Sequence, residues 1–155
     1  MKKLTQEERN LVIKFIRQHP EEIVEVFEEI LERATKQNIS DEEILITNYL
    51  NEIGMPRNLK GFNYSRYAIL LCIDEPDYLN HITQKLYPAV AKEFNTTASR
   101  VEKDIRHSIE VVFERDNVEH IKKIFRTTIS RKTGRPISSK FIALLADVVR
   151  MELNS

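Results

Sequence analysis

Arg100, Lys103 and His107 stand at i, i+3 and i+7, so a helix would carry all three on one side, with Ser99 and Arg106 beside them. Side chains of these types suit the reading of nucleic acid. Arginine can grip the O6 and N7 acceptors of guanine with two donors, lysine does so less rigidly, and Glu102 can accept from a cytosine amino group. The same residues also fit an ordinary solvated face, because Glu102 and Arg106 have the spacing of an i,i+4 ion pair. Spacing alone leaves both readings open. A second cationic feature follows. From His120 to Ala146 there is no acid, while Lys122, Lys123, Arg126, Arg131, Lys132, Arg135 and Lys140 supply seven positive charges. A run of one sign either tracks phosphates or is a solvated loop.

The stretch that must position the first group is Tyr87 to Arg115. It reads as a short helix, a break at Asn95-Thr96-Thr97, and a longer helix from about Ala98 to Arg115. That is the plan of a helix-turn-helix, whose second helix enters the major groove. Local choices agree with it. Pro88 suits a helix start, Ala91 is small where a second helix must cross, Asn95 tolerates positive φ, and the Thr97 hydroxyl can cap. Val101, Ile105, Ile109 and Val112 recur at three- and four-residue spacing and are predicted to face the core, opposite the charges.

The remainder also has helical periodicity. Thr5 and Glu8 form a capping-box pattern ahead of Leu11, Val12, Phe15 and Ile16, and His19-Pro20 breaks that helix. A second helix carries Ile23, Val24, Phe27, Ile30, Leu31 and Ala34. Residues 5–37 thus read as a two-helix unit with more apolar surface than two short helices can bury, a candidate for self-association. Its acidic face (Glu21, Glu22, Glu25, Glu28, Glu29, Glu32) is a solvated surface or a dock for a basic partner. Asn38 to Asp41 is a joint, with Ser40 or Asp41 capping the next helix. Gly54 ends that helix, Lys60-Gly61-Phe62-Asn63 is expected to be a turn, and a helix with Tyr67, Ile69, Leu70 and Leu71 follows. Further helices are expected at about Leu79–Lys85 and Asn117–Arg126. Ser130–Ser138 should be a basic loop, with Ser138 or Ser139 capping a last helix.

The segment Phe94-Asn95-Thr96-Thr97-Ala98-Ser99-Arg100-Val101-Glu102-Lys103-Asp104-Ile105-Arg106-His107-Ser108-Ile109-Glu110-Val111 closely resembles the recognition segment of the stage zero sporulation protein A family, the response regulators that start endospore formation in Firmicutes. The likeness extends to Ile53-Gly54-Met55-Pro56, Lys60-Gly61-Phe62, Leu86-Tyr87-Pro88 and Phe141–Asp147, and spans residues 43–155. The resemblance implies a six-helix DNA-binding effector domain that occupies tandem sites as a head-to-tail pair and contacts sigma factors of RNA polymerase. By position it assigns base reading to Arg100, Glu102 and Lys103, and flanking or backbone contacts to Ser99, Arg106 and His107. Lys122, Lys123, Arg131, Lys132 and Arg135 from the basic run would add phosphate contacts, and the polymerase-facing surface would fall at Asn117–Phe125 and the loop after it. Two positions depart from the family's pattern: Lys103 stands where a second arginine is expected, and Asp104 replaces a small residue. Residues 1–42 are too short for the family's receiver domain, so regulation through a phosphorylated aspartate is not expected. A protein-interaction module that modulates a full-length regulator or polymerase is the alternative from another class.

Composition agrees with an all-α domain. The 155 residues include 24 Lys+Arg and 24 Asp+Glu, with 41% hydrophobic and 31% charged residues. Three glycines are too few for a sandwich, a barrel or a phosphate-cradling loop. The neutral total hides an asymmetry. Residues 1–42 hold seven Lys/Arg against ten Asp/Glu, net −3, and residues 43–155 hold seventeen against fourteen, net +3. The lone Cys72 excludes a disulfide framework and lies in an apolar helix end, as a buried thiol would. His19, His81, His107 and His120 show no ligand spacing, so neither metal nor cofactor is expected, and no catalytic constellation stands out. Without a signal peptide or an 18-residue apolar run, the chain is expected to be cytoplasmic.

Overall fold

The Thr5 hydroxyl accepts the Glu8 N–H at 3.3 Å, and the Glu8 carboxylate accepts the Thr5 N–H at 2.7 Å, closing the capping box that opens α1 (Gln6–Gln18). The computed structural model describes residues 3–37, 40–115, 119–125 and 127–155, leaving aside the side chains of 33, 35–37 and 120. At the end of α1 the His19 N–H returns to the Phe15 carbonyl, and its ring stacks on Phe15 at 4.6 Å. Pro20 then starts α2 (Pro20–Gln37). These helices belong to the first of two compact units, Met1–Ile39 and Ser40–Ser155. As their composition implies, α1 buries no residue, and Leu11, Phe15, Phe27 and Ile30 remain 68%, 51%, 60% and 56% exposed. The joint expected at Asn38 and Ile39 lies outside the described residues.

The second unit is all-α and holds the core. Ser40 caps α3 (Asp41–Glu52) by accepting the Glu43 N–H, and the helix stops where Gly54 takes φ +77°. α4 (Lys60–Asp74) begins earlier than expected, because Lys60–Asn63 is its first turn and not a loop. Gly61 is there for packing. A Cβ at that position would lie 2.1 Å from both the Asp104 carbonyl oxygen and the Ser108 Oγ of α6 (Ala98–Phe113). Glycine therefore lets two helices touch, a cause invisible to a reading that treats Gly as punctuation.

The helix expected at Leu79–Lys85 is two tighter and wider turns instead. A 3-10 turn covers Pro76–Asn80, and a π-helical turn, Ile82–Leu86, carries the bond from the Leu86 N–H to the His81 carbonyl. The wide turn runs directly into α5 (Tyr87–Glu93), where Pro88 has no N–H to prolong an α-helical ladder from before it. α7 (Glu119–Ile124) follows α6, and α8 (Ser138–Leu153) closes the unit. The outer ends expected for α7, Asn117 and Arg126, lie outside the described residues. Neither Ser138 nor Ser139 caps α8. Ile137 occupies that position, without a side-chain bond.

α4 is central, packing on α3, α6 and α8. Leu50, Ile69, Leu86, Val90, Val101, Ile105, Phe125, Phe141 and Leu145 are fully buried around it. Phe125 stacks on Phe141 at 5.2 Å and meets the edge of Phe113 at 5.7 Å, which fixes the segment after α6 to the core. Arg150 reaches the Cys72 carbonyl at 2.9 Å, and Tyr49 donates to Glu152 at 2.5 Å, tying α8 to α4 and α3. No helix among the described residues is long and apolar enough to cross a membrane.

Candidate nucleic-acid interface

The turn between α5 and α6 is built from backbone bonds that its sequence permits. Phe94 N–H donates to the Val90 carbonyl at 3.1 Å, and Thr96 N–H reaches back to Ala91 at 2.9 Å. Between them Asn95 adopts φ 50°, a left-handed conformation that asparagine tolerates better than most residues. Thr97 then caps α6 by accepting the Arg100 N–H at 3.3 Å. Ala91 is buried as expected, and Phe94 packs edge-on against Tyr64 and Tyr67, at 5.0 and 5.8 Å. These rings brace the turn from the side of α4. Tyr64 thus belongs to the core, and Tyr67 lies at its rim.

α6 separates its two faces along its length. Val101, Ile105, Ile109 and Val112 are buried, whereas Ser99, Arg100, Glu102, Lys103, Arg106 and His107 are exposed. The first turn, held by the Thr97 cap, therefore brings Ser99, Arg100, Glu102 and Lys103 together on one exposed surface. Arg106 lies 3.4 Å from Glu102 as the anticipated i,i+4 pair, so the carboxylate is partly engaged by its own helix. A pair this exposed is weak, and either group can leave it for a stronger partner.

The basic residues farther on do not form one patch. Lys122 pairs with Glu119 at 3.4 Å, and with Lys123, Ile129 and Arg131 these residues line a shallow groove of about 430 Å³. An antiparallel bridge between Ile129 and Pro136 closes the loop, whose tip presents Arg131 and Lys132 to solvent. Arg135 points elsewhere. Its guanidinium donates to Glu110 of α6 at 2.6 Å, and both side chains are only 28% exposed. Of the loop cations, it is therefore the one turned toward the protein. Glu110 was not singled out from the sequence. It follows Glu102 and Arg106 at four-residue steps, but its partner lies 25 residues away and leaves no local signal.

Between α6, the loop and the start of α8 lies a cavity of about 640 Å³. Glu102, Arg106, Thr133, Arg135, Ser138 and Ser139 contribute polar groups to it, and Tyr87 forms part of its wall. The Tyr87 hydroxyl is held above its usual pKa mainly by burial and then by Glu102, while Ser138 and Arg106 act the other way. It is a neutral hydrogen-bonding group at physiological pH.

Elsewhere the chemistry is quiet. Cys72 is fully buried, and burial pushes its thiol up to about 12 against the pull of Arg150. No group of three or more His, Cys, Asp or Glu among the described residues is arranged to hold a metal ion. Residues 46–149, two thirds of the chain, match the family described as Sporulation initiation factor Spo0A C terminal. The match runs from α3 to α8 and includes the complete helix-turn-helix with its exposed Arg100 face. By this match over most of its second unit, the chain belongs to the Spo0A C-terminal family, the DNA-binding effector domain of a sporulation regulator.

Proposed function

We propose that the chain is a sequence-specific transcriptional regulator that reads DNA through α6 without control by aspartate phosphorylation. The observation that carries the reading is the capped first turn of α6, which exposes Arg100, Glu102 and Lys103 together while the opposite face is buried. In this reading those three contact base edges, and Ser99, Arg106 and His107 contact flanking bases or backbone. Lys122, Lys123, Arg131 and Lys132 add phosphate attraction, and Arg135 acts beside them. The groove at Lys122, Lys123 and Arg131 also suits the sigma-factor contact that the family resemblance implies. The described residues ahead of the matched span, α1, α2 and the start of α3, are helical and are not the α/β fold that carries a phosphorylated aspartate in the family's receiver domain.

We assign residues 1–42 to a pairing module and 43–155 to the effector domain, with the regulator working in the cytoplasm. Leu11, Phe15, Phe27 and Ile30 support a homodimer through residues 5–37, since so much exposed apolar surface favours a second copy. Two linked copies would hold tandem DNA sites with greater avidity than one. Titration of the full chain with a duplex carrying the family's TGTCGAA-like box, and with a scrambled duplex, tests the reading. Preference for the box at physiological salt is expected. Equal affinity for both duplexes would overturn base reading and leave the protein-interaction module as the better account.

A further inference from the structure

Resting on the DNA-binding reading, we propose that the Glu110–Arg135 ion pair is a positioning device that holds the 129–136 loop beside α6 as a second, preformed contact for the DNA backbone. The Ile129–Pro136 bridge and the bonds from the Lys132 N–H to Ser130 Oγ and from Thr133 Oγ1 to the Arg135 carbonyl hold the loop's own shape. It is the Arg135 side chain that ties the loop to α6. The Ser130 N–H donates to the Arg135 carbonyl at 3.1 Å and the Gly134 N–H to the Ser130 carbonyl at 2.8 Å, closing a small ring at whose neck Arg135 stands. Around the ring, Arg131, Lys132, Thr133 and Gly134 are exposed, and a Cβ at Gly134 would meet nothing within 4 Å. For such a tip to hold a fixed place beside α6, its base needs a tie to that helix.

Glu110 supplies that anchor from the recognition helix itself. The contact is short, 2.6 Å, and both partners are largely shielded from water, so it is stronger than the exposed pairs Glu102–Arg106 and Lys122–Glu119. Glu110 also follows Arg106 by one turn on the stripe that begins at Glu102. The element that reads bases therefore also carries the base of the loop. The cationic tip, Arg131 and Lys132, is then offered at a fixed offset from α6, across the cavity between them. A duplex seated on α6 meets two phosphate contacts without the entropic cost of ordering a free loop. The device adds affinity and no base discrimination, because phosphates are the same in every sequence.

Glu110→Gln in the full chain tests this, since it keeps the shape and removes the charge. Amide hydrogen exchange at Ser130 and Gly134 should speed up, while exchange in the α4 core stays at the parent rate. Affinity for the box duplex and the scrambled duplex should fall by the same factor. The slope of log affinity against log salt should shrink by about 1 to 2, as the two tip cations cease to neutralise phosphates. In an Arg131→Ala/Lys132→Ala background, Glu110→Gln should cause no further loss, which a general weakening of the fold would not reproduce. Unchanged loop exchange and an unchanged salt slope in Glu110→Gln would overturn the proposal, as would a full additional loss in the Arg131→Ala/Lys132→Ala background. A parent chain that binds neither duplex would overturn the DNA-binding reading itself, and the loop's role as a DNA contact with it. A parent that binds while Glu110→Gln matches it would sink the positioning role alone.

Discussion

Arg100 occupies the third position of α6, where Thr97 already satisfies its backbone N–H and its side chain projects into solvent. Nothing in the fold depends on the guanidinium, so a change there separates recognition from stability. Arg100→Ala is expected to lose ~1–3 kcal/mol of specific binding and to relax preference at one base pair. The thermal midpoint should stay at the parent value. Binding to a panel of single-base variants of the box, beside a melting curve, checks both parts. Cys72 presents the opposite case, a group whose chemistry is suppressed by its surroundings. Burial raises its pKa from 9.0 to about 12, so between those values the unfolded chain gives up a proton that the native chain keeps. This residue's contribution to stability is therefore fully present below pH 9 and is lost as the pH climbs toward 12. Denaturant titrations from pH 8 to 10.5 should show a steeper decline for the parent than for Cys72→Ala, and a thiol reagent at pH 8 should label only unfolded chains.

At the scale of elements, the contact between α4 and α6 fixes how the recognition helix is presented. Gly61 admits the Asp104 carbonyl and the Ser108 hydroxyl to within a distance that any Cβ would occupy. Gly61→Ala must push α6 away or bend α4, and overpacking of this kind costs typically 1–3 kcal/mol. The substitution removes no DNA-facing group, yet DNA affinity should fall with stability because the supports of α6 shift. Chemical denaturation and duplex titration of the same variant check this. Stability lost at full DNA affinity would mean that the α4 contact does not set the pose of α6. The short elements near α5 show how far local rules reach. Pro88, Asn95 and Thr97 each play the part their residue types favour, at a helix start, a positive φ and a cap. Ser138 does not, because α8 begins at Ser138 itself and leaves Ile137 in the capping position.

For the whole molecule, the chain combines a helical pair with an all-α unit that has its own core. The first unit cannot satisfy its apolar residues within itself, whereas the second buries two dozen hydrophobic side chains among its described residues. Deleting residues 1–39 is accordingly expected to leave a folded, cooperative domain. If α1 and α2 pair two copies, the shortened chain should be a monomer with weaker binding to tandem boxes and unchanged binding to a single box. Light scattering of both chains at high micromolar concentration, with titration of one-box and two-box duplexes, checks this. A full chain that is already monomeric at that concentration would refute the pairing role.

The all-α class, the helix-turn-helix and the split of α6 into buried and exposed faces were all readable from residue order. Each depends on short-range rules: helical periodicity, a proline start, an asparagine turn and a threonine cap act within four residues of one another. The family resemblance rested on the same stretch. Two features were not readable, for one physical reason. Gly61 reads as a turn until Asp104 and Ser108 are packed against it, and Arg135 reads as one more solvent-facing cation until Glu110 claims it. In every case the partner is more than twenty residues away along the chain. Such side chains have several local options of similar energy, and the choice among them is made by whichever group the folded core brings within contact distance.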